Sequence, residues 1–125
     1  MRREGRPVFL NVLQIRLPIP GIVSFGHRIS GVLLFLAIPL SIYLLDRSLH
    51  DPQGFSDVKA LTGSILFLPV LLALLWSLSH HLLAGIRFLF IDIDLGVDKP
   101  TARKTAWGVL GGGVVLALIL LGVWL

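Results

Sequence analysis

One stretch, Ser24-Phe25-Gly26-His27-Arg28-Ile29-Ser30-Gly31, decides the fold, because it opens an apolar run that continues to Leu45. A serine, a histidine and an arginine therefore stand where a membrane span begins, and ionisable groups there are costly unless a partner or ligand satisfies them. A second polar cluster, His80-His81-Leu82-Leu83-Ala84-Gly85-Ile86-Arg87, closes the next apolar stretch. We expect the two clusters to meet on one side of the membrane and to form one site.

The composition of the 125-residue chain predicts an all-α integral membrane protein. Apolar residues make up 55% of the chain and charged residues only 14%, whereas soluble domains carry about 25% charged residues. Three continuous apolar stretches of about 20 residues predict three transmembrane helices, because only helices and closed barrels satisfy the backbone in lipid. The chain is predicted to be a single membrane domain over residues 1–125.

The predicted spans cover residues 22–46, 60–90 and 104–125, after an interfacial lead over residues 1–20. Pro18 and Pro20 are expected to stop any helix in that lead. Pro39 and Pro69 lie inside spans one and two and predict kinks there. The polar residues between 46 and 59 predict a loop, and Gly111-Gly112-Gly113 in span three predicts the close approach of another helix.

The charged residues predict the orientation of the chain in the membrane. Nine of the eleven basic residues flank the start of the chain or the second loop, whereas the first loop holds only Arg47 and Lys59. The positive-inside rule then places the N-terminus in the cytoplasm and the C-terminus outside. We interpret the net charge of +4 as a topology signal rather than as affinity for nucleic acid. The absence of cysteine excludes disulfides, thiolate-bound iron–sulfur clusters and thiol nucleophiles in this chain.

Histidine chemistry suggests a haem site. A neutral imidazole at membrane depth is a suitable axial ligand for haem iron, and the haem propionates need nearby cations. His81 lies six residues before Arg87, about 10 Å deeper, and has Gly85 on its own helix face, which leaves room for a macrocycle. His80 points about 100° away. A histidine that only hydrogen-bonds a neighbouring helix is the simpler alternative.

The remaining histidines are poor second ligands in this interpretation. His27 is expected to lie too near the surface and His50 on the opposite side of the membrane, so the second ligand is expected from another chain. His27, Arg28 and Arg87 are the candidate partners of the propionates.

Ser24 and Arg28 suggest a quinone contact. They are spaced i, i+4 and share a helix face, so a hydroxyl and a guanidinium could hydrogen-bond the carbonyl oxygen of a quinone. The alternative is a helix N-cap serine and an arginine that binds lipid headgroups. No nucleophile–base pair, phosphate loop or intramembrane carboxylate cluster indicates hydrolytic or ion-pumping chemistry.

Three motifs in order resemble the cytochrome b556 membrane-anchor subunits of succinate dehydrogenase, respiratory complex II. They are Arg6-Pro7 with Leu10 and Arg16-Leu17-Pro18; Ser24-x-x-His27-Arg28-Ile29-Ser30-Gly31; and His81-x-x-x-Gly85-Ile86-Arg87 with Asp92. Together they cover nearly the whole chain. Many such subunits carry a histidine where this chain has Phe88, so the polar contact of that histidine is missing here.

The resemblance implies a role for each site residue. His81 would be an axial ligand of haem b iron, and a second membrane-anchor subunit would give the other ligand. Ser24 and Arg28 would contribute to a ubiquinone site beside an iron–sulfur subunit, and His27 and Arg28 would meet the haem propionates. A flavoprotein subunit would oxidise succinate, so the chain would be a subunit of the enzyme and would not be catalytic alone.

The same resemblance places the chain in a bacterial or mitochondrial inner membrane, as part of a larger helical bundle surrounded by lipid. It would pass electrons from succinate oxidation to ubiquinone, in the respiratory chain and the tricarboxylic acid cycle. Two alternatives are an anchor of the fumarate reductase type and a haem-free structural anchor.

Overall fold

The computed structural model describes residues 16–124 and consists there of four helices. They are α1 (Ile19–His50), α2 (Pro52–Thr62), α3 (Leu68–Asp92) and α4 (Lys99–Trp124). α1, α3 and α4 are long and apolar enough to cross a membrane, which confirms the predicted all-α class and the three spans. Residues 1–15 of the predicted interfacial lead lie outside the described residues.

Helix α1 begins earlier than predicted. Pro18 is the N-cap of α1 and Pro20 lies in its first turn, so the helix includes residues that were assigned to the lead. A proline is accommodated at the first positions of a helix because the N–H that it lacks has no intrahelical partner there in any case. The prediction that these prolines stop a helix in the lead concerns residues outside the described ones. α1 then continues without interruption past Pro39 to His50.

The segment between the first two spans is helical rather than the predicted loop. α1 extends over residues 46–50, and the Asp51 carboxylate caps α2 by accepting a hydrogen bond from the Gly54 N–H. The prediction that span two begins at residue 60 is therefore wrong. α2 ends at Thr62, a turn follows, and α3 begins at Leu68, with Pro69 in its first turn instead of at an internal kink.

The three spans pack most closely at the end that holds the start of α1, the end of α3 and the start of α4. A cluster of small side chains forms the core there: Val23, Ala84, Ala106 and Val109. Large apolar side chains such as Phe35 and Ile119 lie on the outside, as expected for helices that face lipid or another subunit. The core therefore lies directly beside the two histidine-containing clusters.

A short turn joins α3 to α4 at this end. Asp94 and Gly96 adopt positive φ angles of 59° and 74°, which reverse the chain. The Asp98 carboxylate then accepts a hydrogen bond from the Thr101 N–H at 3.0 Å, and this bond lowers the pKa of Asp98. α4 consequently begins at Lys99, five residues before the predicted start of span three.

Candidate functional site

The two polar clusters meet, as predicted, through two stacked histidine rings. The ring centroids of His27 and His81 lie 4.0 Å apart, and the ring planes are inclined by 14°. The predicted difference in depth between these histidines is therefore wrong. α1 begins at Ile19, so His27 lies eight residues inside the helix, about 12 Å from its start.

The Nδ1 side of the His81 ring contacts α1. Its Nδ1 lies 3.2 Å from the backbone oxygen of His27 and 3.1 Å from Oγ of the buried Ser30. The Ser30 hydroxyl donates to the same His27 oxygen at 2.9 Å. A carbonyl oxygen only accepts, so the contact with the His27 oxygen favours the tautomer that carries the proton on Nδ1 and the lone pair on Nε2.

His80 occupies a different environment from its neighbour. Its side chain is only 1% exposed, and its ring stacks on Trp76 with 5.2 Å between centroids. Its Nε2 lies 3.4 Å from the backbone oxygen of Val23, which only accepts and so requires a proton on Nε2. A Cβ at Gly26 would lie 2.7 Å from that nitrogen, and a Cβ at Gly113 would lie 3.4 Å from the His80 Cα. His80 is thus enclosed by all three spans.

Glycines also lie beside the stacked pair. A Cβ at Gly31 would meet Cε1 of His81 at 3.2 Å, so this glycine lets the ring lie close to α1. Gly85 was expected to leave room beside His81, but the side chain nearest to it is His27, whose Nε2 would lie 3.7 Å from a Cβ at that position. The edge of His27 also meets the ring of Phe88, with 5.2 Å between centroids.

Ser24 and Arg28 lie on one face of α1, a turn apart. Ser24 is half-buried and Arg28 is exposed, whereas His27 is turned toward α3. The N-cap alternative for Ser24 is wrong, because α1 already begins at Ile19. In this turn His27 therefore faces α3, and Ser24 and Arg28 share another face of α1, where Arg28 is exposed.

Arg87 does not face the stacked histidines, although the sequence suggested it as a propionate partner. The side chain is only 7% exposed and points to α4. Its Nε donates to Thr105 Oγ1 at 3.1 Å, and its Nη2 donates to the backbone oxygen of Ala102 at 3.1 Å. Arg87 thus joins α3 to α4 at the turn between them.

Sequence reasoning missed two residues of the site. Ser30 was quoted only as part of a motif, yet its hydroxyl contacts His81. Its position three residues after His27, with Gly31 next to it, was the available signal. Trp76 was read as a packing or interface aromatic, and its i, i+4 spacing with His80 was the signal for their stacking.

Metal-binding capacity in this region is limited to individual imidazoles. Within residues 16–124, no group of three or more histidine, cysteine, aspartate or glutamate side chains could hold a metal ion. These residues therefore fit a cofactor that brings most of its own metal ligands and needs one imidazole from this chain.

Comparison with known proteins gives a consistent picture. The family model described as succinate dehydrogenase/fumarate reductase transmembrane subunit matches residues 2–120. The chain is 35% identical to a succinate dehydrogenase cytochrome b556 subunit of Coxiella burnetii over 121 residues, 96% of each chain. It is 33% identical to the subunit of that name from Paracoccus denitrificans, covering 97% of this chain and 93% of the relative. A cytochrome b560 subunit from Reclinomonas americana is 27% identical over 92% of this chain and 83% of its own.

Proposed function

The chain belongs to the family of succinate dehydrogenase/fumarate reductase transmembrane subunits, and from this we propose that it anchors a succinate:quinone oxidoreductase in the membrane and binds haem b and quinone. Its relatives are named succinate dehydrogenase cytochrome b556 subunits, which favours succinate oxidation as the direction of the reaction and haem b as the cofactor.

The observation that carries the haem proposal is the state of the His81 ring. The contacts of Nδ1 with the His27 oxygen and with Ser30 favour a proton on Nδ1, which supports Nε2 as the nitrogen that would bind iron. Metal-binding histidines typically donate their other N–H in this way. Gly31 lets the His81 ring lie close to α1, so the residues present fit an imidazole ligand held in one orientation. His80 fits poorly, because it is enclosed between the spans.

The second axial ligand is assigned to another subunit. His27 stacks on the His81 ring, and His80 is enclosed between the spans, so neither is proposed as a further ligand of the iron that His81 would bind. His50 lies in the last turn of α1, at the other end of the bundle. The chain therefore supplies half of a shared site, which requires a second membrane-anchor subunit with its own imidazole.

His27 and Arg28 are the proposed partners of the haem propionates. Both lie in the turn of α1 beside His81, and Arg28 is exposed at the surface of this chain, where a positive charge can meet an anionic group. When bound, haem b supplies a one-electron redox centre. The chain's own residues bind the iron, fix the orientation of the imidazole and neutralise the propionates.

Ser24 and Arg28 are the proposed quinone ligands. They share the outward face of α1, where the Ser24 hydroxyl and the Arg28 guanidinium can both donate to a carbonyl oxygen. These donors stabilise the negative charge that develops on that oxygen as the quinone is reduced. Without cysteine the chain holds no thiolate-bound cluster, so electrons would come from an iron–sulfur subunit that is itself reduced by a flavoprotein subunit.

The charge distribution supports a cytoplasmic location for this proposed docking side of the bundle. Basic residues near the start of α1 and of α4 lie at the same end as the stacked histidines. In a bacterium the complex would lie in the inner membrane, with its soluble subunits on the cytoplasmic face.

A spectrum of the purified complex tests the haem assignment. The tagged chain is isolated with its native partners, and dithionite-reduced minus oxidised spectra are recorded for wild type, His81→Ala and His50→Ala. We expect a b-type α band in wild type and in the His50→Ala control, and loss or displacement of the band in His81→Ala. A wild-type complex that contains flavin and iron–sulfur clusters but no band would identify a haem-free anchor.

The quinone assignment is tested separately. In the same complex, Ser24→Ala and Arg28→Leu are expected to lower quinone reduction and the affinity of quinone-site inhibitors, while succinate oxidation with an artificial acceptor stays normal. Unchanged quinone reduction and inhibitor binding in both variants would show that the quinone binds elsewhere.

A further inference from the structure

The environment of His80 suggests that it has a function distinct from that of His81. A histidine that is 1% exposed inside a membrane bundle is costly unless its polar atoms have partners. The acceptor within reach of its Nε2 is the backbone oxygen of Val23, at 3.4 Å. In an α-helix that oxygen also accepts from the N–H four residues later, which belongs to His27. The contact therefore joins α3 to the turn of α1 that contains Ser24 and His27.

The surroundings of the ring hold it against that turn. Gly26 lies in the same turn of α1, and any side chain there would collide with His80, because a Cβ would lie 2.7 Å from Nε2. Trp76 stacks on the ring. The backbone of α4 closes the third side at Gly113. The ring is thus fixed by all three spans, with its N–H directed at α1.

We propose that His80 is a positioning residue that sets the distance and rotation of the Ser24–Arg28 turn of α1 relative to His81. The inference rests on the proposed function, since it assigns His80 a part in quinone binding that it plays through α1. His80 contacts neither quinone nor haem in this proposal. Adjacent histidines would then have complementary tasks, with His81 facing the cofactor and His80 fixing the helix that carries the quinone ligands.

A pair of nearly isosteric variants tests the direction of the hydrogen bond. The side-chain nitrogen of glutamine can occupy the place of Nε2 in histidine, whereas that of asparagine occupies the place of Nδ1. His80→Gln therefore keeps a donor facing Val23, and His80→Asn removes it. The whole complex is purified for each variant, and the reduced-minus-oxidised spectrum, the kcat and the KM for a short-chain ubiquinone are measured.

We expect all the His80 variants to keep the haem band, because His81 is unchanged. His80→Asn should raise the quinone KM by about 3-fold to 10-fold, the ratio that corresponds to the loss of one hydrogen bond, with a smaller change in kcat. His80→Gln should stay within about twofold of wild type. Ser79→Ala is the matched control, because it removes a neighbouring buried hydroxyl that has no hydrogen-bond partner among residues 16–124, and it should leave the KM unchanged.

Gly26→Ala disturbs the contact between His80 and the Val23 oxygen from the α1 side. Its methyl group would displace the His80 ring, so it should raise the KM as His80→Asn does while keeping the band. Gly26→Ala therefore tests the inference even if one of the two His80 variants does not assemble.

The possible failures are distinguishable. Equal KM values for His80→Gln, His80→Asn and wild type, in a complex that reduces quinone and loses its band in His81→Ala, would overturn the inference and leave the proposed function intact. Loss of the band in both the glutamine and asparagine variants, with retention in His81→Ala, would make His80 the ligand and overturn both. A wild-type complex with neither band nor quinone reduction would overturn the proposed function itself.

Discussion

The two ends of the bundle use arginine in opposite ways. At the end that carries the stacked histidines, Arg87 is buried and donates to Thr105 and to the Ala102 oxygen, both neutral. At the other end, the Arg47 side chain is 39% exposed and forms ion pairs with Asp51 at 3.7 Å and Asp57 at 3.0 Å. Each arginine joins two helices, but only Arg87 does so away from water, where an unsatisfied polar group is costly.

This difference indicates which interactions stabilise each end of the bundle. Buried polar contacts are concentrated near His27, His80, His81 and Arg87, at the end proposed to hold the cofactors. The end that holds α2 relies on surface ion pairs, which contribute little because water competes for them. Precise geometry is therefore expected at the first end and tolerance to substitution at the second.

Replacing the two arginines gives the largest expected contrast. Arg87→Met removes two hydrogen bonds made by a buried charged group, and it should lower the free energy of unfolding by about 3 kcal/mol. Arg47→Met should lower the free energy of unfolding by only a small fraction of that amount. Thermal unfolding of the detergent-purified complex would measure both. Similar losses for the two variants would show that burial does not distinguish the two ends.

Adding volume to α4 should have the next largest effect. Gly113 packs on the backbone of His80, so Gly113→Val forces α3 and α4 apart and should cost about 1–3 kcal/mol. Gly111→Val is the matched control, because a Cβ there meets nothing within 4 Å. Unfolding of the two variants in detergent should therefore differ clearly. Equal stability would contradict the close α3–α4 approach at Gly113.

Removing an unpaired hydroxyl should have a smaller effect of opposite sign. Ser79 Oγ is buried and has no hydrogen-bond partner among the described residues. Ser79→Ala removes a polar group without breaking a bond, so it should leave stability unchanged or raise it by up to about 1 kcal/mol. Thermal unfolding would detect the change. A clear loss of stability would reveal a partner for this hydroxyl, such as water or another subunit.

The smallest effect is expected from the protonation of Asp57, at the α2 end, as the pH is lowered. A hydrogen bond from Gln53, and then one from Arg47, lower the pKa of Asp57 in the folded state. A carboxyl group with a lowered pKa stabilises the fold above its ordinary pKa, and this contribution disappears as the pH falls through the folded value. Asp57→Asn should therefore match wild type in strongly acidic buffer and be slightly less stable near pH 7. A difference that grows on acidification would contradict this ion-pair account.

Periodicity and composition were sufficient to predict the three spans, but they could not locate the helix ends. Hydropathy reports how apolar a segment is, and it does not record whether a proline begins a helix or breaks one. Pro20 and Pro69 both lie in first turns, where their lack of an N–H costs nothing. The helical segment Pro52–Thr62 was missed for a related reason, because Asp51 and Pro52, taken as turn signals, are its cap and first turn.

The sequence by itself determined that the chain is a three-span helical membrane protein, and it predicted that Ser24, His27, Arg28 and His81 carry the chemistry of the proposed site. Apolar length and helical spacing are local properties, so the order of residues contains them. Only the tertiary structure decided that His27 stacks on His81, that Arg87 faces α4 and that His80 is enclosed while Nδ1 of His81 lies against the backbone of α1. Those outcomes depend on where helices cross and which backbone oxygens lie opposite each ring, and sequence spacing within one helix does not encode either.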